Sequence, residues 1–127
     1  MANETIFLVD DNAANLTMGK SVLSENYKTF TIPSAQKMFE LLAKIKPDLI
    51  LLDVLMPEMS GFEAIKILKD GLDCNIPVVF LTADNDVQSE KEGLALGAVD
   101  YIHKPFNCEE LLQRIEKCLL PQNKLNI

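Results

Sequence analysis

Short runs of consecutive apolar residues alternate along this chain with segments in which apolar residues recur every three or four positions. An unbroken apolar run between turn-forming residues is typical of a strand buried on both faces, and the remaining segments have the period of an amphipathic helix. The predicted strands are Thr5–Val9, Tyr27–Ile32, Leu49–Asp53, Val78–Thr82 and Val99–Ile102. The second of these alternates with polar residues, which places it at or near a sheet edge.

Each predicted strand is followed by a predicted helix. The first helix begins at Asn12 or Ala13, and the other four follow a capping residue. These capping residues are Ser34, Ser60, Asp86 and Asn107. Ser60 and Asn107 are each followed three positions later by a glutamate, which is the spacing of a capping box. Behind Ser60, the predicted apolar stripe consists of Gly61, Ile65, Leu68 and Leu72.

The alternation of strands and helices with short connections predicts a parallel sheet covered by helices on both faces. The chain has 127 residues, which suits one domain with one sheet. We expect residues 4–120 to form this domain and residues 121–127, which have no periodicity, to be a tail or the start of a linker.

Composition narrows the class of protein further. The formal net charge of −7 argues against nucleic-acid binding, which requires a basic surface. The first residues lack the pattern of a signal peptide, and no apolar run approaches the length of about 20 residues that spans a membrane. The three cysteines, Cys74, Cys108 and Cys118, show no metal-binding spacing. We therefore expect reduced thiols in a cytoplasmic protein that does not contact a membrane.

Polar residues capable of chemistry follow four of the five predicted strands. They are Asp10, Asp11, Asp53, Thr82 and Lys104. Each alone is an ordinary strand end, but the carboxyl ends of parallel strands meet at one edge of the sheet, where ligands bind. Three crowded carboxylates repel one another unless a cation lies among them. An all-oxygen set suits Mg²⁺ or Mn²⁺ better than Zn²⁺.

A carboxylate, an ammonium and a hydroxyl beside a divalent cation are suited to phosphoryl transfer. Asp53 is the candidate nucleophile, because a carboxylate can form an aspartyl-phosphate. The carboxylate alone does not distinguish this role from that of a metal ligand or a turn residue.

The ordered set of motifs resembles the receiver domain of bacterial two-component response regulators. The resemblance extends over about residues 4 to 119 and implies a flavodoxin-like doubly wound α/β fold, with five helices and five parallel strands in the order 2-1-3-4-5. The matching motifs are Asp10-Asp11, Asp53 with Met56-Pro57 and Gly61, Thr82-Ala83, and Lys104-Pro105-Phe106.

This resemblance implies a role for each acidic residue of the site. Asp53 would accept a phosphoryl group from a phosphohistidine on a histidine kinase or histidine phosphotransferase. Asp11, Asp53 and the backbone carbonyl of Leu55 would bind Mg²⁺, and Asp10 would contribute through a metal-bound water.

The resemblance also implies a switch. Lys104 would pair with the phosphoryl oxygens, Thr82 would hydrogen-bond the phosphoryl group, and Tyr101 would turn inward as Thr82 moves. The bond before Pro105 is expected to be cis. The signal would reach a downstream protein, a fused output domain or a second copy of the chain through the face of the fourth helix, fifth strand and fifth helix. The fourth helix is the least strongly specified, because Gly93 lies in its interior and Gly97 follows its end. The alternative is that Gly93 only allows close packing.

Two other functions are consistent with parts of this pattern. A Mg²⁺-dependent phosphatase would also use Asp53 as nucleophile, but it would need a second acid two residues later, where this chain has Leu55. A receiver-like domain that binds partners without being phosphorylated would not need the complete set of residues. Because Leu55 cannot orient a water molecule, we expect a long-lived phosphoryl form. His103, beside Lys104, is expected to lie at the surface and not to act as a base.

Overall fold

The strands of the computed structural model form one parallel sheet in the order β2-β1-β3-β4-β5. The structure describes residues 4–72, 75–83, 87–104 and 107–119. The strands are β1 (Thr5–Val9), β2 (Lys28–Ile32), β3 (Leu49–Asp53), β4 (Val78–Thr82) and β5 (Asp100–His103). This order confirms the predicted flavodoxin-like topology and the edge position of the second strand.

Five α-helices lie between and after the strands in the described part of the chain. They are α1 (Ala13–Leu23), α2 (Ala35–Leu42), α3 (Gly61–Lys66), α4 (Val87–Ala95) and α5 (Cys108–Leu119). A π-helical turn, Ile67–Gly71, continues α3. The apolar period predicted the helices themselves, but it did not predict this turn.

Side chains that alternate along the strands build a core on each face of the sheet. The core beside α2 and α3 contains Phe7, Ile50, Leu52, Phe80, Met38 and Ile65. The core beside α1 and α5 contains Ile6, Leu8, Leu51, Leu81, Leu23 and Leu111. Every residue of β3 and β4 is buried, as expected for central strands of a parallel sheet. These two central strands fix the position of Asp53 and Thr82 at one edge of the sheet.

Helix capping follows the sequence closely where the structure describes it. The Ser60 hydroxyl accepts a hydrogen bond from the Glu63 backbone N–H at 3.2 Å, and the Glu63 carboxylate accepts one from the Ser60 N–H at 2.9 Å. This confirms the predicted capping box at α3. The Asn107 Oδ1 accepts a hydrogen bond from the Glu110 backbone N–H at 3.1 Å, and this bond confirms one half of the second box. The Glu110 carboxylate lies 3.4 Å from Arg114.

The predicted apolar stripe of α3 is wrong at its last member. Leu72 is 56% exposed, although Ile65 and Leu68 are fully buried. The Leu72 N–H bonds to the Ile67 carbonyl five residues earlier, so the wider turn rotates Leu72 away from the core.

Three strand boundaries also differ from the prediction. β2 begins at Lys28, not Tyr27, and β5 runs from Asp100 to His103, not from Val99 to Ile102. Val99 is 51% exposed, because it precedes the sheet in the connection from α4. The ends of a strand are hard to predict from sequence. A residue just outside the strand is often of the same apolar type, but it does not form the backbone hydrogen bonds to a neighbouring strand.

Two of the predicted reduced cysteines lie in the described residues, and both are free thiols. Cys108 is exposed, and Cys118 is half-buried. Burial and the nearby charge of Asp100 raise the pKa of the Cys118 thiol. In the described ranges, none of the helices combines the length and the apolar character needed to span a bilayer.

Candidate functional site

The carboxyl ends of neighbouring strands bring the predicted polar residues together. Asp10 follows β1, Asp53 ends β3, Thr82 ends β4, and Lys104 follows β5. Asp10 and Thr82 are fully buried, and Asp53 is 4% exposed. Burial of ionisable groups is costly, so their side chains require partners within the site.

The Lys104 ammonium lies between two carboxylates. Its Nζ is 2.7 Å from Asp10 Oδ2 and 3.2 Å from Asp53 Oδ1. The backbone N–H of Lys104 donates to the Thr82 carbonyl at 2.7 Å, which fixes the start of the lysine side chain beside the end of β4. One ammonium therefore offsets part of the negative charge of the site.

Three carboxylates are close enough to share one cation. One oxygen from each of Asp10, Asp11 and Asp53 lies within 4.8 Å of the others. Asp11 is exposed, whereas the other two are buried, so water can reach one side of the group. Oxygen ligands with room for water fit Mg²⁺ or Mn²⁺. Lys104 supplies one positive charge to these three acids, so a divalent cation would relieve the remaining repulsion.

The surroundings shift the pKa values of Asp53 and Lys104 for different reasons. Burial, and after it the nearby charge of Asp10, raise the pKa of Asp53 to about 6 even though Lys104 opposes both effects. Burial alone would lower the pKa of Lys104, but the hydrogen bond to Asp10 and the charge of Asp53 outweigh it and raise that pKa. Lys104 is therefore a fixed cation at neutral pH, whereas the site holds the ionised form of Asp53 at a cost in free energy.

This cost predicts that Asp53→Asn stabilises the metal-free protein. The folded-state pKa of Asp53 is above the ordinary value of 3.8, so the folded state binds the proton more tightly than the unfolded state. The contribution of Asp53 to the free energy of unfolding is fully present below about pH 4, and it is lost as the pH rises through about 6. In a chelator, Asp53→Asn should raise the free energy of unfolding by about 1 to 2 kcal/mol near pH 7.5.

Urea unfolding of both proteins near pH 7.5 and near pH 5 tests this prediction. The difference should shrink at the lower pH, because the wild-type carboxyl is then largely protonated. A variant that is less stable than the wild type near pH 7.5 would contradict it.

Asp10 has donors that the sequence reasoning missed. The Asn12 backbone N–H donates to Asp10 Oδ1 at 2.9 Å, and Asn15 Nδ2 donates to Asp10 Oδ2 at 3.2 Å. The two asparagines in the first turn after the acid pair were the available signal, since asparagine is otherwise unfavourable inside a helix.

The loop after β3 contains Leu55, two residues after Asp53. The Leu55 side chain is 66% exposed. Glu58 in the same loop has a φ of 70°, an unusual conformation for a residue with a side chain. The role of the Leu55 carbonyl as a metal ligand stays a prediction.

Tyr101 is buried in a row of aromatic rings. Its ring centroid lies 5.8 Å from that of Phe80, which in turn lies 5.2 Å from that of Phe62. A Cβ on Gly93 would lie 2.9 Å from both the Phe80 and the Tyr101 ring, so glycine lets α4 approach these rings. In this structure the Tyr101 ring is buried, which is its inward position. The movement of Tyr101 on phosphorylation stays a prediction.

His103 lies at the surface, as predicted. It is exposed, and its Nε2 is 3.6 Å from a Glu90 carboxylate oxygen on α4. Pro105, whose preceding bond was expected to be cis, lies outside the described residues. So do the predicted cap Asp86 and residues 121–127.

A family model described as response regulator receiver domain matches residues 6–116. Sporulation initiation phosphotransferase F of Bacillus subtilis is 33% identical over 120 residues, which cover 94% of this chain and 96% of that protein. The structure of chemotaxis protein CheY4 of Vibrio cholerae superposes with a TM-score of 0.87 at 30% identity, and the match covers 93% of this chain and 100% of that one.

Longer proteins also contain a similar segment. The probable cyclic di-GMP phosphodiesterase of Vibrio cholerae is 40% identical over 121 residues, which cover 94% of this chain. This chain spans only 27% of the length of that protein. The similarity therefore concerns the segment that matches and not the activity named for the whole protein.

Proposed function

The chain belongs to the response regulator receiver domain family, and from this premise we propose that Asp53 is its phosphoryl acceptor. Receiver domains are phosphoacceptor signalling switches. The observation that carries the assignment is the position of Asp53, which is 4% exposed at the end of β3 with the Lys104 ammonium 3.2 Å away. The Lys104 ammonium, together with a divalent cation held by the neighbouring acids, would offset the negative charge of an incoming phosphoryl group.

In the proposed reaction, an Asp53 carboxylate oxygen attacks the phosphorus of a phosphohistidine on a partner protein. An O–P bond forms, the P–N bond breaks, and the imidazole leaves with the bonding electrons and takes a proton from water. Asp10, Asp11, Asp53 and the carbonyl of Leu55 would hold Mg²⁺ or Mn²⁺, which when bound offsets the charge of the acids and of the phosphoryl oxygens. Lys104 stabilises the charge that the phosphoryl oxygens develop.

The response to phosphorylation would begin at Thr82 and Lys104. Both lie at the ends of strands that continue toward Tyr101 and α4, and the Lys104 N–H is bonded to the Thr82 carbonyl. A new phosphoryl group offers strong acceptors to the Thr82 hydroxyl and the Lys104 ammonium. Their movement would change the face of α4, β5 and α5.

The proposed partners follow from this chemistry. A histidine kinase or a histidine phosphotransferase supplies the phosphoryl group, and a downstream protein, an output domain or a second copy of this chain reads the changed face. The family to which the chain belongs acts in such systems. We do not assign a multiple-turnover reaction, because Leu55 offers no proton to a leaving group.

Leu55 predicts a slow loss of the phosphoryl group. Its side chain, two residues after Asp53, is apolar and 66% exposed, and it cannot orient an attacking water. Leu55→Asn, which supplies an amide, should shorten the acyl-phosphate lifetime by about threefold or more. The measurement is the decay of phosphorylated protein after removal of the phosphodonor. Leu72→Asn, at another exposed leucine, is the control. Equal lifetimes for the wild type and Leu55→Asn would contradict the hypothesis.

Stoichiometric labelling tests the proposed function. The wild type and Asp53→Asn are each incubated with Mg²⁺ and acetyl phosphate, and intact mass is followed. The wild type should gain one phosphoryl group and the variant none. Sustained hydrolysis of a phosphate ester would instead indicate a phosphatase, and absence of labelling in a protein that still binds its partner would indicate a binding domain.

A further inference from the structure

Asp10 is the most enclosed acid of the site, and hydrogen-bond donors hold its carboxylate in place. It is fully buried, unlike Asp11 beside it. In the described part of the chain, three groups donate to its carboxylate: the Asn12 backbone N–H at 2.9 Å, the Asn15 amide at 3.2 Å and the Lys104 ammonium at 2.7 Å. A buried carboxylate that loses a donor rotates toward another one, because an unpaired buried acceptor is costly.

Two of these donors share the same oxygen. Asn15 Nδ2 and Lys104 Nζ both bond to Oδ2, whereas Asn12 bonds to Oδ1. Under the proposed function, Lys104 moves its hydrogen bond to the phosphoryl group. Oδ2 then retains the Asn15 amide as its donor from this set.

We propose that Asn15 is a positioning residue, which keeps the Asp10 carboxylate in its orientation for the metal-bound water when Lys104 turns to the phosphoryl group. The proposal rests on the proposed function and extends it to a residue of α1. The amide nitrogen, not the oxygen, faces Asp10, because an oxygen would repel the carboxylate.

The position of Asn15 allows its amide to be removed without loss of the helix start. The N-cap bond of α1 is made by the Asn15 backbone N–H, which donates to Asn12 Oδ1 at 3.1 Å and remains in any side-chain variant. Leucine has nearly the same shape as asparagine and a higher helix propensity. Asn15→Leu therefore removes the donor while it favours the helix.

The experiment measures Mg²⁺ affinity by calorimetry and the rate of labelling by acetyl phosphate at saturating Mg²⁺, both on the full chain. Asn15→Leu should weaken Mg²⁺ binding by about tenfold and slow labelling by a similar factor, the effect typical of an outer-shell partner. Its melting temperature should be equal to or above that of the wild type. Asn15→Gln, which retains an amide on a longer side chain, should recover part of the affinity.

A capping variant separates this role from helix stability. Ser34→Ala removes the bond from the Lys37 N–H to the Ser34 hydroxyl at the start of α2, so it should lower the melting temperature without changing Mg²⁺ affinity. Unchanged Mg²⁺ affinity in Asn15→Leu would overturn the role of Asn15. A wild type that binds Mg²⁺ but is not labelled would count against the proposed function instead.

Discussion

Replacement of Lys104 by methionine should slow labelling of Asp53 by acetyl phosphate by about 100-fold, the usual cost of removing one donor to a developing charge. Methionine keeps most of the side-chain length but has no charge. The Lys104 ammonium is the group that lies closest to both buried acids, at 2.7 Å from Asp10 and 3.2 Å from Asp53. Its loss removes the cation that would stabilise the phosphoryl oxygens.

Mg²⁺ binding should change in the opposite direction. In the wild type, Lys104 occupies one oxygen of each buried acid and so competes with a divalent cation for them. Lys104→Met should therefore bind Mg²⁺ at least as tightly as the wild type, as calorimetry can measure. Lys46→Met, an exposed lysine before the opposite end of β3, is the control for loss of charge. If Lys104→Met were labelled at the wild-type rate, this result would contradict the role of the ammonium.

Replacement of Gly61 by alanine should destabilise the fold by about 3 kcal/mol, at the upper end for an overpacked site. A Cβ at this position would overlap the Asp53 carbonyl oxygen and lie 3.0 Å from the Val54 Cα and from the Phe80 ring. The Gly61 N–H also donates to the Val54 carbonyl at 2.8 Å, so the helix start cannot move away without losing this bond. Backbone atoms surround the position and cannot rotate to make room.

Urea unfolding compares Gly61→Ala with Gly71→Ala. A Cβ on Gly71 would meet Ile67 at 3.7 Å, which is an ordinary contact. Gly71→Ala should therefore leave stability unchanged or raise it by up to about 1 kcal/mol through the unfolded state. Equal stability of Gly61→Ala and the wild type would show that the β3–α3 connection can relax, and it would contradict the close approach described above.

The parts of the fold that the sequence predicted are those with the strongest local signal. β3 and β4 consist almost wholly of apolar residues, and every one of their positions is buried. When β1, β3 and β4 are parallel neighbours, their carboxyl ends share an edge, so Asp10, Asp53 and Thr82 lie close together. The site was therefore predictable from topology before any distance was known.

The unpredicted features depend on geometry that apolar periodicity does not encode. The π-helical turn Ile67–Gly71 differs from an α-helix by one residue per turn, and the sequence around it contains no signal for that extra residue. The wrong assignment of Leu72 follows from this turn. The Asn15 amide can donate to Asp10 only if α1 starts at the right distance from the end of β1. The sequence did not determine whether α1 starts at Asn12 or at Ala13.

Gly93 had two interpretations from the sequence. A glycine inside α4 indicates either a weakly specified helix or a close contact with a neighbouring element. The structure shows that a Cβ there would lie 2.9 Å from the rings of Phe80 and Tyr101. The residue therefore serves close packing of α4 on the sheet, which propensity alone could not reveal.

The identity of the residue that carries the phosphoryl group is the central claim, and borohydride reduction tests it most directly. An aspartyl-phosphate is reduced to homoserine, whereas an unmodified aspartate is not. After treatment with acetyl phosphate, Mg²⁺ and borohydride, peptide mass spectrometry should find this conversion at Asp53 and not at Asp10 or Asp11, and it should be absent without the phosphodonor. Conversion at another acid, or none at Asp53 in a protein that retains its fold, would contradict the account.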